Sequence, residues 1–264
     1  MRPVPLHFWK YHGLGNDFVV VEGGPLMGPG RAQRLCDRRR GIGADGVLTI
    51  LPPEDDGVAY MHIYNSDGSV AAMCGNGIRC VARHLAERRG LEGDFLIETD
   101  SGAKRCAVHR GRGSAVESVT VEMGTARVEG EQSFDLGQEV VAALRVNMGN
   151  PHAVVFDVAG AERAESLGPA IEAKVPGGVN VGFARLADSG LDLVVWERGA
   201  GLTEACGTGA CAAAVAAIHT GRLAASRPVA VRLPGGVLSV TVGADLAVRM
   251  KGPAEPVFEG ETDL

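Results

Sequence analysis

The chain has 264 residues, 45% hydrophobic and 22% charged, the balance of a soluble globular protein with enough core for two domains. A formal net charge of −6 leaves no dominant basic face for nucleic acid, and the longest apolar run, Ala210–Ile218, is far too short to span a bilayer. The start, Met-Arg-Pro-Val-Pro-Leu-His-Phe, lacks the apolar segment of a secretion signal, so a cytoplasmic location is expected.

Taken in chain order, alternating β-branched and aromatic residues predict strands over Val4–Lys10, Phe18–Glu22, Val47–Leu51, Val58–Tyr64, Phe95–Thr99, Arg105–His109 and Val116–Met123. Helices are expected at Arg31–Arg38 and Gly75–Arg89, with the run Arg38–Arg40 as the solvated end of the first. The second half repeats the theme. Its strands fall at Val140–Met148, His152–Phe156, Val179–Leu186, Asp192–Glu197, Val229–Leu233, Val237–Val242 and Leu246–Lys251, and its helices at Ala161–Ala173 and Gly207–Thr220. Short strands with two helices per half do not read as alternating βαβ units, which predicts an α+β fold with mostly antiparallel sheet. Glu129–Gln132 is the expected connection between the halves, and the Pro-, Gly- and acid-rich tail after Gly252 reads as a strap.

A cysteine motif is written twice, 132 residues apart. Residues 73–80 read Met-Cys-Gly-Asn-Gly-Ile-Arg-Cys and residues 205–211 read Ala-Cys-Gly-Thr-Gly-Ala-Cys. At nearly the same offset Tyr60–Tyr64 matches Asp192–Trp196, Asn65 matches Glu197, Ser101-Gly102 matches Pro234-Gly235, and Asn16 matches Asn150. A repeat this long means two copies of a domain, here residues 1–128 and 129–251, with the tail 252–264 able to return to the first. The helix after Cys206 is apolar nearly all round, so each half is expected to curl its sheet around a buried central helix.

Of the six cysteines, Cys36, Cys80, Cys106 and Cys211 read as small buried hydrophobes, and with no Cys-x-x-Cys pair neither a disulfide framework nor a metal site is indicated. Cys74 and Cys206 differ, because each precedes a Gly-x-Gly turn that opens a helix. A helix N-terminus favours thiolate. Its unpaired amides, at Gly75, Asn76 and Gly77 and at Gly207, Thr208 and Gly209, also form an anion nest suited to a carboxylate. Two such thiols facing each other across one carbon could remove a proton from one side and return one to the other. The expected architecture is therefore two pseudo-symmetric domains with the active site in the cleft between them.

The ordered motifs His12-Gly-Leu-Gly-Asn-Asp-Phe18, Gly41-Ile-Gly-Ala-Asp45, Tyr64-Asn-Ser-Asp-Gly68, Cys74-Gly-Asn-Gly77, Glu98-Thr-Asp-Ser-Gly102, Gly149-Asn-Pro-His152, Glu197-Arg-Gly199 and Ala205-Cys-Gly-Thr-Gly-Ala-Cys211 closely resemble the diaminopimelate epimerases over about residues 7–251. The resemblance implies interconversion of LL- and meso-2,6-diaminopimelate without a cofactor, in lysine and peptidoglycan precursor synthesis, by a homodimer. It assigns Cys74 and Cys206 as the two acid–base thiols, with Cys74 the donor and Cys206 the acceptor for LL-substrate. Implied substrate contacts are Asn16, Asn65, Gly75, Asn76, Asn150, Asn180, Glu197, Arg198, Gly207 and Thr208. The residue types fit, since a double zwitterion calls for amides that donate and accept, a guanidinium for the distal carboxylate, and N–H nests.

His152 and Glu197 are implied tuners of the thiols, a cation favouring thiolate and a carboxylate opposing it. The bland reading of His152 is a histidine capping the turn after Asn150-Pro151, that of His12 is structural, and that of the four asparagines is turn formation. One departure from the family pattern is Gly46, where many members carry a substrate-contacting glutamine. Rival functions are a two-cysteine racemase of the same architecture acting on proline, hydroxyproline or another amino acid, and a non-catalytic thiol sensor or metal-binding protein. Arg198 with the asparagines favours a long substrate that is polar at both ends.

Overall fold

Alanine is the strongest helix former, and the run after Cys206 makes α4 (Gly207–His219), which ends where Gly221 takes a positive φ of 72°. The computed structural model that shows this describes residues 5–23, 27–156, 160–188 and 190–264. Val4, expected to open the first strand, lies outside them. The described chain is a mixed α+β structure, rich in strands and with four helices. Its packing forms two compact units, one of residues up to Val121 together with Gly252–Leu264, the other Glu122–Lys251.

The first unit runs β1 (Leu6–Gly13), β2 (Asn16–Glu22), α1 (Pro29–Cys36), β3 (Gly46–Leu51), β4 (Ala59–Asn65), α2 (Gly75–Arg88), β5 (Asp94–Glu98), β6 (Lys104–Arg110) and β7 (Val116–Thr125), the last crossing out of the unit at its end. The second runs β8 (Arg127–Asp135), β9 (Val140–Asn147), β10 (Pro151–Phe156), α3 (Ala161–Ala173), β11 (Asn180–Ala187), β12 (Gly190–Glu197), β13 (Gly201–Thr203), α4, β14 (Pro228–Leu233), β15 (Gly236–Val242) and β16 (Ala247–Gly252). The tail forms β17 (Glu255–Thr262), antiparallel to β1.

Both units use one succession of pairings. In the first, β1–β2 is antiparallel, β2–β3 parallel, β3–β4 antiparallel, β4–β5 parallel and β5–β6–β7 antiparallel. In the second, β9–β10, β10–β11, β11–β12, β12–β14 and β14–β15–β16 repeat that series in the same senses. Antiparallel pairs predominate. The parallel ones correct the expectation that no βαβ units occur, because each helix joins a parallel pair and so forms one. The physical reason is that parallel neighbours need a crossover, and each unit's two helices supply it.

Three further differences concern polar strands. Glu129–Gln132, the expected connection, lies within β8, whose residues are mostly exposed and which pairs with β9. The tail expected as a strap is strand β17, exposed along most of its length. Neither shows the apolar alternation by which strands are found in sequence, because β8 buries Phe134 alone and β17 buries none of its residues. The short β13 pairs with β12 just beyond Glu197.

Helix α4 packs against β9, β10, β11, β12, β14 and β15 and is buried almost throughout. Helix α2 packs on β1, β2, β3 and β6 and is buried over its first turns, yet it is not apolar all round. It carries the buried Arg79 and His84, and His84 Nε2 lies 2.8 Å from Glu22 Oε2. Among the described residues no helix is long and apolar enough to cross a membrane.

Candidate active site

In the first unit Cys74 is the N-cap of α2, with extended backbone (φ −137°, ψ 118°), and its Sγ accepts the N–H of Gly77 at 3.3 Å. This is the capping role of a serine or aspartate taken by sulfur. The Cys74 thiol points at Asn16 Oδ1, 3.9 Å away, and the same oxygen accepts from Asn76 Nδ2 at 3.1 Å. Asn16 Nδ2 donates to Asp45 Oδ2 at 2.8 Å, which fixes which end of the amide faces the thiol.

Behind Asp45 lies an ion-pair network. Arg38 donates to Asp45 Oδ1 at 2.8 Å and to both oxygens of Asp17, and Lys10 pairs with Asp17 at 2.6 Å. Burial alone would raise the Asp17 carboxyl, but hydrogen bonds from Arg38 and Lys10 hold it down at about 2. Arg38 was expected as the solvated end of a helix. Instead α1 stops at Cys36, and the guanidinium turns back to hold the carboxylates that orient Asn16.

Asn65 ends β4 and donates its amide to Ser69 Oγ at 2.9 Å, within the turn where Gly68 takes a φ of 81°. Gly46 stands opposite Asn65 in the β3–β4 pair, and a Cβ built on it would come within 2.7 Å of the Tyr64 carbonyl. A glutamine there would require the backbone to move, so the glycine fits this strand spacing. His12 Nδ1 accepts the N–H of Gly15 at 3.3 Å, a structural placement within the β1–β2 turn.

In the second unit Cys206 is the N-cap of α4 and is only 4% exposed. Its Sγ lies 3.7 Å from Thr208 Oγ1, which accepts from Asn150 Nδ2 at 3.3 Å. Asn150 Oδ1 in turn lies 3.0 Å from His152 Nε2, a contact that requires the proton on that nitrogen. Among the described residues, His152 Nδ1 is buried without a hydrogen-bond partner. Burial, helped by the charge of Arg145, lowers His152 to about 3, so its ring is neutral near pH 7 and meets the sulfur's surroundings as a hydrogen-bond donor to Asn150. Burial first, and then the Glu197 carboxylate, push the Cys206 thiol well above its ordinary value, against smaller opposing hydrogen bonds from Gly209 and Thr208.

Glu197 closes β12 and accepts from Thr203 Oγ1 at 2.6 Å. Asn180 opens β11 in register with His152. It donates to Pro151 O at 3.2 Å and accepts the backbone N–H of Arg198 at 3.0 Å. Arg198 is exposed, with Nη1 on Gly177 O at 3.0 Å, and its stem lies over Gly178, where a Cβ would come within 2.6 Å of it.

Sequence reasoning missed Glu172 of α3, whose carboxylate accepts the Trp196 indole N–H at 2.7 Å and the Gly199 N–H at 3.2 Å. It pins both sides of the Glu197-Arg198 turn. Gly168, one helical turn earlier, lets Trp196 lie against the helix, since a Cβ there would be 2.4 Å from the indole. Nothing in their spacing marks these residues without the fold. Asp45 did stand inside a quoted motif.

Each unit thus places a cysteine at the mouth of a buried helix, Cys74 against the oriented Asn16 amide and Cys206 against the Thr208 hydroxyl to which Asn150 donates. Cys74 is partly exposed, whereas the five other cysteines are buried. Burial pushes Cys36 to about 11 and Cys80 to about 12. Brief iodoacetamide treatment near neutral pH is therefore expected to label Cys74 about tenfold or more ahead of the rest, read by peptide mass spectrometry. Equal labelling of Cys74 and Cys206 would contradict this burial.

The diaminopimelate epimerase family model matches residues 8–129 and 144–257, which includes both cysteine motifs. Diaminopimelate epimerase of Synechococcus elongatus is 41% identical over 98% of this chain and 99% of its own length. That of Moorella thermoacetica is 44% identical over 98% of this chain and 100% of its own. Among solved structures, a probable proline racemase from Agrobacterium radiobacter superimposes with a TM-score of 0.78 at 19% identity, covering 97% of this chain and 92% of that one. A hydroxyproline epimerase from Agrobacterium vitis gives 0.78 at 18% identity, covering 98% and 92%. At such identities these two share the fold. The sequence relatives match over nearly the whole of this chain, and the chain belongs to the diaminopimelate epimerase family.

Proposed function

We propose that this chain, an isomerase, interconverts LL- and meso-2,6-diaminopimelate for lysine and peptidoglycan precursor synthesis, using Cys74 and Cys206 as its two bases and no cofactor. The observation that carries this reading is the duplicated placement of a cysteine as N-cap of a buried helix, each beside an oriented amide cluster. In this reading the two units are pseudo-symmetric, each a curled, mostly antiparallel sheet around its cysteine-led helix, and the substrate lies in the cleft between them. The enzyme works in the cytoplasm as a homodimer.

One sulfur, as thiolate, takes the α-proton, and the electron pair stays on the α-carbon beside its carboxylate. The other sulfur, as thiol, delivers its proton to the opposite face. The carbon leaves inverted and the two cysteines exchange protonation state, so atoms and charge balance. Helix-mouth amides at Gly75, Asn76, Gly207 and Thr208 hold the α-carboxylate while charge builds beside it. Asn16 and Asn150 line the two faces. Asn65, Asn180, Glu197 and Arg198 read the distal centre, the guanidinium taking the far carboxylate, and so only one centre turns over.

His152 serves this scheme through Asn150 and Thr208, since it carries no charge near neutrality. Burial, and after it Glu197, keeps Cys206 protonated. A thiol held in that way donates in the meso-to-LL direction. The LL-to-meso direction, with Cys206 as acceptor, runs from the form in which Cys206 has given up its proton.

In D₂O the purified protein without added cofactor is expected to incorporate one deuterium at a single α-carbon of LL-diaminopimelate, seen as loss of one α-proton signal by NMR. Exchange on proline or hydroxyproline with none on diaminopimelate would move the activity to the racemase reading.

A further inference from the structure

The turn after β12 is braced by residues outside it. Near the C-terminal end of α3, Glu172 Oε2 accepts the Trp196 indole N–H at 2.7 Å, and Glu172 Oε1 accepts the Gly199 N–H at 3.2 Å. Arg198 lies between those two residues, and its own backbone N–H goes to Asn180 Oδ1 at 3.0 Å. Trp196, Arg198 and Gly199 are therefore each tied to α3 or to the start of β11.

The Arg198 side chain is held as well as its backbone. The chain leaves α3 through Gly177 and Gly178, both with left-handed backbone (φ 79° and 76°). That turn brings the Gly177 carbonyl to Arg198 Nη1 at 3.0 Å and lays the bare α-carbon of Gly178 under the arginine stem. A Cβ on Gly178 would fall 2.6 Å from Arg198 Cδ, 2.8 Å from its Cγ and 3.3 Å from Glu172 Oε1. Any larger residue there displaces the stem. Arginine loses much rotamer freedom when it is fixed, and here that loss precedes any ligand.

We infer that Glu172 and Gly178 are specificity-determining positioning residues, which fix the reach of Arg198 and so select substrates by the distance of their far carboxylate from the reacting carbon. The inference rests on the reading in which Arg198 takes that carboxylate. A guanidinium on a loose stem follows a carboxylate wherever the chain length puts it. One held at stem and tip suits a single length. The ligand class is the straight-chain diamino dicarboxylate, and a homologue one methylene shorter or longer misplaces the far carboxylate by about 1 Å, enough to weaken a positioned contact.

The test measures kcat and KM for α-hydrogen exchange in D₂O, with full-length protein, on diaminopimelate and on its homologues one methylene shorter and longer. The parent is expected to prefer diaminopimelate by about tenfold or more in kcat/KM. Gly178→Ala is expected to raise KM for diaminopimelate about tenfold, leave kcat within about threefold, and lose most of the length preference. Glu172→Gln, which keeps one acceptor oxygen where the carboxylate had two, is expected to move both quantities the same way by a smaller factor. Gly137→Ala is the control for backbone strain. Gly137 also has a left-handed φ, 86°, but an added Cβ meets nothing within 4 Å, so its KM and preference should match the parent. A parent-like length preference in Gly178→Ala or Glu172→Gln overturns the inference, as does a parent that turns over all three lengths equally. A fall in kcat with KM unchanged also overturns it, because reach would then not be what was lost. If Gly178→Ala does not fold, Glu172→Gln decides. Failure of the epimerase reading shows separately, as a parent that exchanges no diaminopimelate hydrogen at all, and it takes the inference with it.

Discussion

Replacing either Cys74 or Cys206 by alanine is expected to lower epimerisation by about a thousandfold or more, with far-ultraviolet circular dichroism unchanged. A positioned acid or base contributes about 10²–10⁴-fold, and here the two act in one event, so the loss of either stops inversion. Both side chains are small, and their helices are held by burial along their length rather than by the sulfur, so the fold survives. The single-cysteine variants keep one base. Each is expected to exchange the α-hydrogen of the isomer facing the remaining sulfur, slowly and with retention of configuration. Chiral chromatography measures inversion and NMR in D₂O measures exchange. Near-normal inversion by either variant would end the two-base scheme.

Acid is expected to destabilise the protein well before its carboxylates protonate. His152 has its proton affinity lowered by burial to about 3, and burial also lowers His84, against the opposing effect of Glu22. Between about 6.5 and 3 the unfolded chain binds a proton at His152 that the native chain refuses, so stability falls as pH falls. The slope is about 1.4 kcal/mol per pH unit for one such group. From neutrality to about pH 4.5 the His152 contribution alone is roughly 2–3 kcal/mol, and His84 acts in the same direction. Asp17, held at about 2, keeps its contribution until pH is lower still. Urea unfolding at the two pH values measures the loss. His152→Gln keeps a donor for Asn150 but cannot titrate, so its dependence should be shallower by about one proton. A stability that is flat over this range would mean that His152 is not held neutral.

The elements legible in sequence are those that bury something. Helix α4 is visible because Ala210–Ala217 have no polar face, and β11 and β12 because their alternation faces a core. Strands β8 and β17 were illegible because they lie exposed and hold to the fold through backbone pairing, which any sequence can make. The helix-mouth cysteines were legible because Gly-x-Gly after a cysteine, written twice, has few structural explanations. Glu172 and Arg38 were not. Each acts on a partner distant in sequence, so the residue type alone carries no sign of the role.

The sequence by itself determined the duplication, the two helix-led cysteines and the family, because each rests on local pattern and on the order of motifs. Tertiary structure decided the chemistry around each sulfur. It buried Cys206 near Glu197, left Cys74 partly open, neutralised His152, and turned Asn16 through Asp45 toward the thiol. Burial and the field of distant residues set which sulfur holds a proton, and both quantities exist only once the chain has folded.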